Sequence, residues 1–198
     1  MDIVLEHVRS FARRCEIPLR PLTLLVGENS TGKSTFLAVA AAVLDRRGFP
    51  WSPAFNSPPY SLGNFDTIAT YKGGKYGRDQ QFTMGIRYDV GEGRSHETIA
   101  TYANEHGQVI LSGFRSCDAD ITGELSLDQN RFRFEVCQTT DGAAPLRADF
   151  EGELPGAVSR DTMLGFTIWN QVLEASREKE FAKQPAFLRR VHEVLEVG

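Results

Sequence analysis

Cysteine, histidine and long apolar runs are all scarce in this chain of 198 residues, and each scarcity removes a class of function. The three cysteines, Cys15, Cys117 and Cys137, lie far apart, form no C-x-x-C pair and cannot all pair within the chain. They read as reduced thiols filling small apolar spaces, not as a disulfide framework or a zinc site. His7, His96, His106 and His192 are scattered without metal-ligand spacing. No apolar run approaches the roughly 20 residues that a membrane-spanning helix needs. The first residues include Asp2 and Glu6, where a signal peptide would be basic. A cytoplasmic protein with no membrane partner is expected. Charge of one sign is not in large excess either, because 22 Lys and Arg stand against 26 Asp and Glu. That balance excludes a surface that binds nucleic acid everywhere and leaves room for a local basic patch.

What is present changes in texture along the chain. Ile3, Leu5 and Val8 are spaced like a strand, and Ile17-Pro18-Leu19 begins a second extended piece. Leu22-Thr23-Leu24-Leu25-Val26 is a nearly continuous apolar run ending in glycine, the pattern of a central strand covered on both faces. Ser34 to Leu44 is alanine-rich and helical, and Arg46, Arg47 and Gly48 read as its basic, glycine-capped end. Four of the nine prolines fall between Pro50 and Pro59, which predicts an irregular connection. From Gln81 to about Phe150, short alternating stretches such as Phe82-Met84-Ile86-Tyr88 and Phe132-Phe134-Val136 recur. Turn-like clusters such as Gly91-Glu92-Gly93 and Asp128-Gln129-Asn130 separate them. This predicts an antiparallel meander of about four to six strands. Helical periodicity returns from Ser159 onward, through Leu164, Trp169 and Val172 and then, after Pro185, through Phe187, Val191 and Val194.

The chemistry concentrates in Gly27-Glu28-Asn29-Ser30-Thr31-Gly32-Lys33-Ser34, which fits the Walker A pattern G-x-x-x-x-G-K-[ST]. Gly27 and Gly32 let the backbone wind so that successive N–H groups point inward, at the positive end of the following helix. Lys33 supplies a fixed charge for the β- and γ-phosphates, the Ser34 hydroxyl is placed for magnesium, and Thr35 reaches toward the α-phosphate. With glycine at about 7% of residues, a chance match in a chain of this length is on the order of 1%. The cofactors expected are ATP and Mg2+.

Asp2 to Phe11, followed by Pro21 to Leu37 with this loop inside it, resembles the N-terminal start of ATPase heads in the SMC, RecF and OLD-like group of AAA-annotated proteins with ABC-type heads. Tyr60 to Ile68 resembles the segment that follows the first helix in OLD-like ATPases. The resemblance implies an α/β fold, an incomplete P-loop NTPase of ABC-ATPase-head type with an antiparallel β-subdomain and a C-terminal helical segment. It divides the chain into a nucleotide-binding core over 1–50, a connection and β-subdomain over 51–155, and a helical segment over 156–198. It also implies that Arg9 is a second contact to the nucleotide. The function implied is that of the ATP-binding N-terminal lobe of an ATPase, with DNA repair or anti-phage defence as its setting. The partners implied are a homodimer or a complementary C-terminal half, together with DNA or a defence effector. Catalytic residues are not identifiable. Leu125-Ser126-Leu127-Asp128 reads as a turn, not as an aspartate-tipped strand, and Leu111-Ser112-Gly113 follows a strand where an ABC signature would open a helix. Gln80, Gln81 and Gln171 are candidates to position water. A nucleotide-dependent switch without useful turnover is the alternative. A P-loop kinase or GTPase is disfavoured by the lack of an Asn/Thr-Lys-x-Asp motif and of an arginine-rich lid.

Overall fold

Alternating side chains lay out the largest element before any helix is considered. In β6 (Ile121–Asp128), Ile121, Gly123, Leu125 and Leu127 are buried and the residues between them are not; in β7 (Arg131–Gln138), Phe132, Phe134 and Val136 repeat the pattern. In β8 (Leu146–Glu153), Ala148 and Phe150 do the same. Register aligns these rows, with Leu125 opposite Phe134 and Phe134 opposite Phe150. One face is therefore apolar and the other carries Glu124, Arg133, Glu135 and Glu151, as in an antiparallel sheet packed on one side only.

In the computed structural model, which describes residues 1–45, 47–75, 77–91, 94–139, 144–154, 162–177 and 185–195, this sheet has eight strands. The others are β1 (Asp2–Glu6), β2 (Cys15–Pro18), β3 (Gln81–Gly91), β4 (Arg94–Glu105) and β5 (Gln108–Asp118). Their order is β2-β1-β3-β4-β5-β6-β7-β8, and every pairing is antiparallel. The expected α/β fold is thereby corrected, because the protein is mostly β and has no parallel sheet among the described residues. The physical reason lies in Leu22–Val26, which forms no strand and pairs with nothing. Without that segment in a ladder, β1 takes β2 and β3 as its antiparallel neighbours.

The alternation between Gln81 and Phe150 is realised as the six strands β3 to β8. Leu111 and Phe114 are both buried although three residues apart, because the ladder with β4 slips at this point and leaves Ser112 unpaired. The bulge turns both side chains inward, and the Ser112 hydroxyl donates to the Thr101 carbonyl at 3.0 Å. Leu111-Ser112-Gly113 therefore lies inside β5 and opens no helix. Leu125–Asp128 is the end of β6, so the expected turn there is also corrected; it begins one residue later, at Gln129.

Among the described residues, four helices occupy the apolar side: α1 (Lys33–Leu44), the short α2 (Phe65–Ile68), α3 (Thr162–Arg177) and α4 (Pro185–Leu195). α1 packs on β1 and β3, α3 on β8, and α4 on β5 and β6. A Cβ on Gly123 would lie 2.2 Å from Val194 Cγ1, so the missing side chain is what seats α4 against the sheet. α1 ends at Asp45, whose backbone is extended, and not in a glycine cap; Gly48 sits in the following turn and Arg46 is outside the described residues. Ser159 and Glu92-Gly93 are likewise outside them. No helix among the described residues is long and apolar enough to cross a membrane.

The strap between α1 and β3 closes the core. Phe55, Phe65, Phe82 and Tyr102 form one aromatic group, with Phe82 stacked on Tyr102 at 5.4 Å and Phe55 edge-on to both. The Tyr102 hydroxyl donates to the Pro50 carbonyl at 2.7 Å, and burial pushes the pKa of this phenol well above its usual value.

His96 on β4 stacks on Tyr88 at 4.8 Å and lies 3.2 Å from the Thr98 hydroxyl. Burial holds its pKa below the ordinary histidine value, outweighing the opposite pull of the Asp118 carboxylate. A depressed folded-state pKa means that the neutral ring is favoured in the native state. Its contribution is complete above the unfolded value of about 6.5 and is lost as pH falls through the folded value. The melting temperature should drop as pH falls below the unfolded value of about 6.5, and His96→Gln should flatten that drop. Parallel slopes in the two proteins would show that another group is responsible.

Candidate functional site

The glycine-rich loop meets α1 at Gly32, and local geometry explains why glycine stands there. Gly32 has φ 94°, and a Cβ on it would lie 2.8 Å from both the Phe11 ring and the Ser10 hydroxyl. The first helical bond runs from the Phe36 N–H to the Gly32 carbonyl at 2.8 Å, and no side chain caps the helix. The leading amides of α1 are thus left for a ligand or water.

Lys33 folds back over the loop. Its Nζ donates to the Gly27 carbonyl at 2.8 Å and also to that of Glu28, while the Thr31 hydroxyl donates to the Glu28 carbonyl at 2.9 Å. These bonds hold the ammonium at the loop mouth in a defined position. Ser34 is exposed beside it, and Asn29 and Ser30 line the same concavity.

Arg9 reaches the same place from the other side of the fold. After β1 the chain turns through His7 and Arg9, both with positive φ, and the Arg9 N–H donates to the Ile68 carbonyl at 2.7 Å. The Thr70 hydroxyl donates to the Arg9 carbonyl at 2.9 Å. Its guanidinium donates to the carbonyls of Leu62 at 2.9 Å and Thr67 at 3.1 Å and to the Thr35 hydroxyl at 3.3 Å. Arg9 therefore clamps the strap to the start of α1. Thr35 is only 5% exposed and its hydroxyl accepts from Arg9, which leaves its own proton to donate.

Arg9, Ser10, Asn29, Ser30, Gly32, Lys33, Ser34 and Thr35 together line a concavity of about 480 Å³. Two cations face it and no carboxylate lines it, which suits an anion with several charges. The same lining supplies a hydroxyl, Ser34, for a cation carried by that anion. Elsewhere, no group of three or more His, Cys, Asp or Glu is arranged to hold a metal among the described residues.

Other sequence candidates fall away from the concavity. Asp128 ends a strand, but β6 stands four positions from β1 in the sheet, roughly 19 Å at the usual strand spacing. Gln80 donates to the Arg78 carbonyl, Gln171 to the Glu153 carbonyl, and Gln81 lies on the open face of the sheet near Arg14 and Glu97. Ser10 and the carbonyls of Leu62 and Thr67 are site components that motif reading did not reach. The only sequence signal for the carbonyl pair is the cap Asn64, whose side chain accepts from the Thr67 N–H at 3.1 Å and so sets the turn that presents them.

One expected element is present in sequence and uncovered in space. Leu22, Leu24 and Val26 are 78, 78 and 92% exposed, while Thr23 and Leu25 between them are partly buried. Comparison with protein-family models, with curated proteins and with solved structures finds no match for the chain.

Proposed function

We propose that this chain binds magnesium–ATP through Gly27 to Thr35 and acts as the ATP-binding N-terminal lobe of an ABC-type ATPase resembling the SMC, RecF and OLD-like group. The observation that carries the reading is the union of Lys33 and Arg9 over an uncapped helix start in a concavity lined by no carboxylate. When bound, magnesium supplies charge neutralisation between the phosphates. In this chain Lys33, Arg9 and the amides of Gly32 to Ser34 face the phosphate charge, and the Ser34 hydroxyl is the protein ligand for the ion. The resemblance places the activity in DNA repair or anti-phage defence, coupled to dimerisation or to a complementary C-terminal half. This reading concerns the loop and its chemistry, and the sheet behind the loop is the antiparallel one described above.

Binding without hydrolysis is the expected behaviour of the 198 residues by themselves. Phosphoryl transfer to water needs a positioned nucleophile as well as charge stabilisation, and no side chain of the concavity is placed as a base. The same observation favours the second reading, a nucleotide-dependent switch or scaffold. Phosphate release by the longest native form, with and without DNA, separates the two. For the chain itself, phosphate release should match that of its Lys33→Ala variant; turnover at about 1 per second or faster, inside the common enzyme range, would defeat the reading of an incomplete site. Ser34→Ala should weaken the magnesium dependence of ATP binding more than binding of nucleotide in EDTA. Equal losses in both titrations would remove Ser34 from the ion.

A further inference from the structure

We infer that Thr70 is a positioning residue for phosphate binding: its hydroxyl holds Arg9 in the pose that keeps one guanidinium N–H for an incoming phosphate. The inference rests on the phosphate reading of the concavity and adds a residue outside its lining. It starts from a strained backbone. His7 has φ 58° and Arg9 has φ 47°, values that residues with a side chain seldom adopt, and only Val8 separates them at the exit of β1. Such conformations persist where the surroundings over-determine them, and they cluster at functional sites. Val8 and Ala69 form an isolated antiparallel bridge, in which the Thr70 N–H donates to the His7 carbonyl at 2.9 Å and the Arg9 N–H to the Ile68 carbonyl at 2.7 Å. The Thr70 hydroxyl then donates to the Arg9 carbonyl at 2.9 Å, the one partner of that carbonyl among the described residues. Thr70 is itself 4% exposed, and its carbonyl accepts from the Asp79 N–H at 3.0 Å, so the hydroxyl stands on a fixed backbone.

The pose matters because a guanidinium has five N–H groups whose use can be counted. Nε and Nη2 of Arg9 are turned to the strap, on the carbonyls of Thr67, Leu62 and Ser61. Nη1 carries two N–H groups and has one partner among the described residues, the Thr35 hydroxyl at 3.3 Å. Thr35 lines the concavity, so the edge of the guanidinium with an N–H to spare is the edge beside the site. A phosphate oxygen can accept there, in a charge-assisted contact, without breaking any bond of the clamp. Removing the Thr70 hydroxyl leaves the Arg9 carbonyl without its partner. The left-handed backbone is then free to relax, which turns the Cα–Cβ bond and carries the guanidinium away from Thr35. Thr70 therefore acts on the ligand only through Arg9. The two backbone bonds of the bridge do not depend on the side chain at position 70, so the exit of β1 keeps its course when valine stands there.

The test is titration calorimetry of the whole chain with inorganic tripolyphosphate and, separately, with magnesium–ATP. Thr70→Val should weaken both by about tenfold, which corresponds to about 1.4 kcal/mol. Thr70→Ser, which keeps the hydroxyl, should bind as wild type does. In an Arg9→Ala background Thr70→Val should cost nothing further, the non-additivity expected of a residue that works through another. Ser112→Ala removes a hydroxyl-to-carbonyl bond at the β5 bulge and should lower stability while leaving both affinities unchanged. Circular dichroism establishes that each variant is folded, and Thr70→Ala takes the place of the valine variant if valine does not fit. Wild-type affinity in Thr70→Val, a serine variant as weak as the valine one, or the same loss with and without Arg9 overturns the inference. If tripolyphosphate shows the expected losses and magnesium–ATP does not bind, the role of Thr70 is upheld and the nucleotide reading falls. A wild-type chain that binds neither overturns both.

Discussion

Replacing Lys33 by alanine is expected to remove most of the thermal stabilisation that magnesium–ATP confers on the chain. A ligand at about one hundred times its dissociation constant stabilises the native state by about 2.7 kcal/mol. For a chain of this size that is a rise of roughly 5–10 °C in melting temperature, at about 2–4 °C per kcal/mol. The ammonium is pinned to the carbonyls of Gly27 and Glu28 at the mouth of the concavity. Nucleotide therefore meets a positioned charge and pays little to organise it. Alanine leaves the helix amides in place but takes away that cation, and Arg9 is already committed to the carbonyls of Ser61, Leu62 and Thr67 and to the Thr35 hydroxyl. Differential scanning fluorimetry of wild type and variant, each with and without magnesium–ATP, measures the effect. Equal shifts in the two proteins would rule the loop out as the phosphate site.

The second large effect is expected from the core. Phe82 is completely buried and touches Phe55, Phe65 and Tyr102, so it joins β3 and β4 to the strap and to α2. Truncating such a ring loses its transfer free energy and leaves a cavity, for about 3–5 kcal/mol. Phe82→Ala should lower the melting temperature by about 6–20 °C at the same conversion. Phe82→Leu, which refills part of the space, should cost distinctly less. Because the strap also presents the carbonyls that hold Arg9, the alanine variant should bind ATP more weakly even at temperatures where it is folded. Unfolding by urea, with ATP titration at low denaturant, reads both effects, and an alanine variant as stable as wild type would show that the aromatic group is not the keystone of this face.

Local patterns carried much of the architecture and of the site. Period-two alternation marked the meander, most plainly in β3 and β7, because one face of each strand is buried by elements the chain itself provides. The glycine-rich loop was legible as a motif because the pattern restricts residue type at fixed spacing. β6 was obscured for a physical reason: its inward position 123 is glycine, where Val194 fills the space that an apolar side chain would occupy elsewhere. With that position silent, Leu125 and Leu127 looked too few for a strand. Leu22–Val26 failed differently. An apolar run states that burial is favourable but does not say which polypeptide supplies the cover, and the strands of this chain find their partners elsewhere. Nor does any local pattern reveal that β1 lies against β3, or that Arg9 is held by the carbonyls of Leu62 and Thr67.

From β3 to β8 every strand lies beside its successor in the chain, so each of those joints closes only a short connection. The joint between β1 and β3 sets Asp2 beside Arg87 and closes everything between them at once. Loop-closure entropy rises only with the logarithm of length, yet contacts far apart in sequence are the ones that slow a conformational search. The hairpin series can zip up without waiting for β1. The glycine-rich loop, α1 and the Arg9 clamp are all carried on the chain between the two strands, and they acquire their mutual geometry when that long joint closes. The order of the concavity at the start of α1 is thus borrowed from the one connection in the sheet that must be found over a distance.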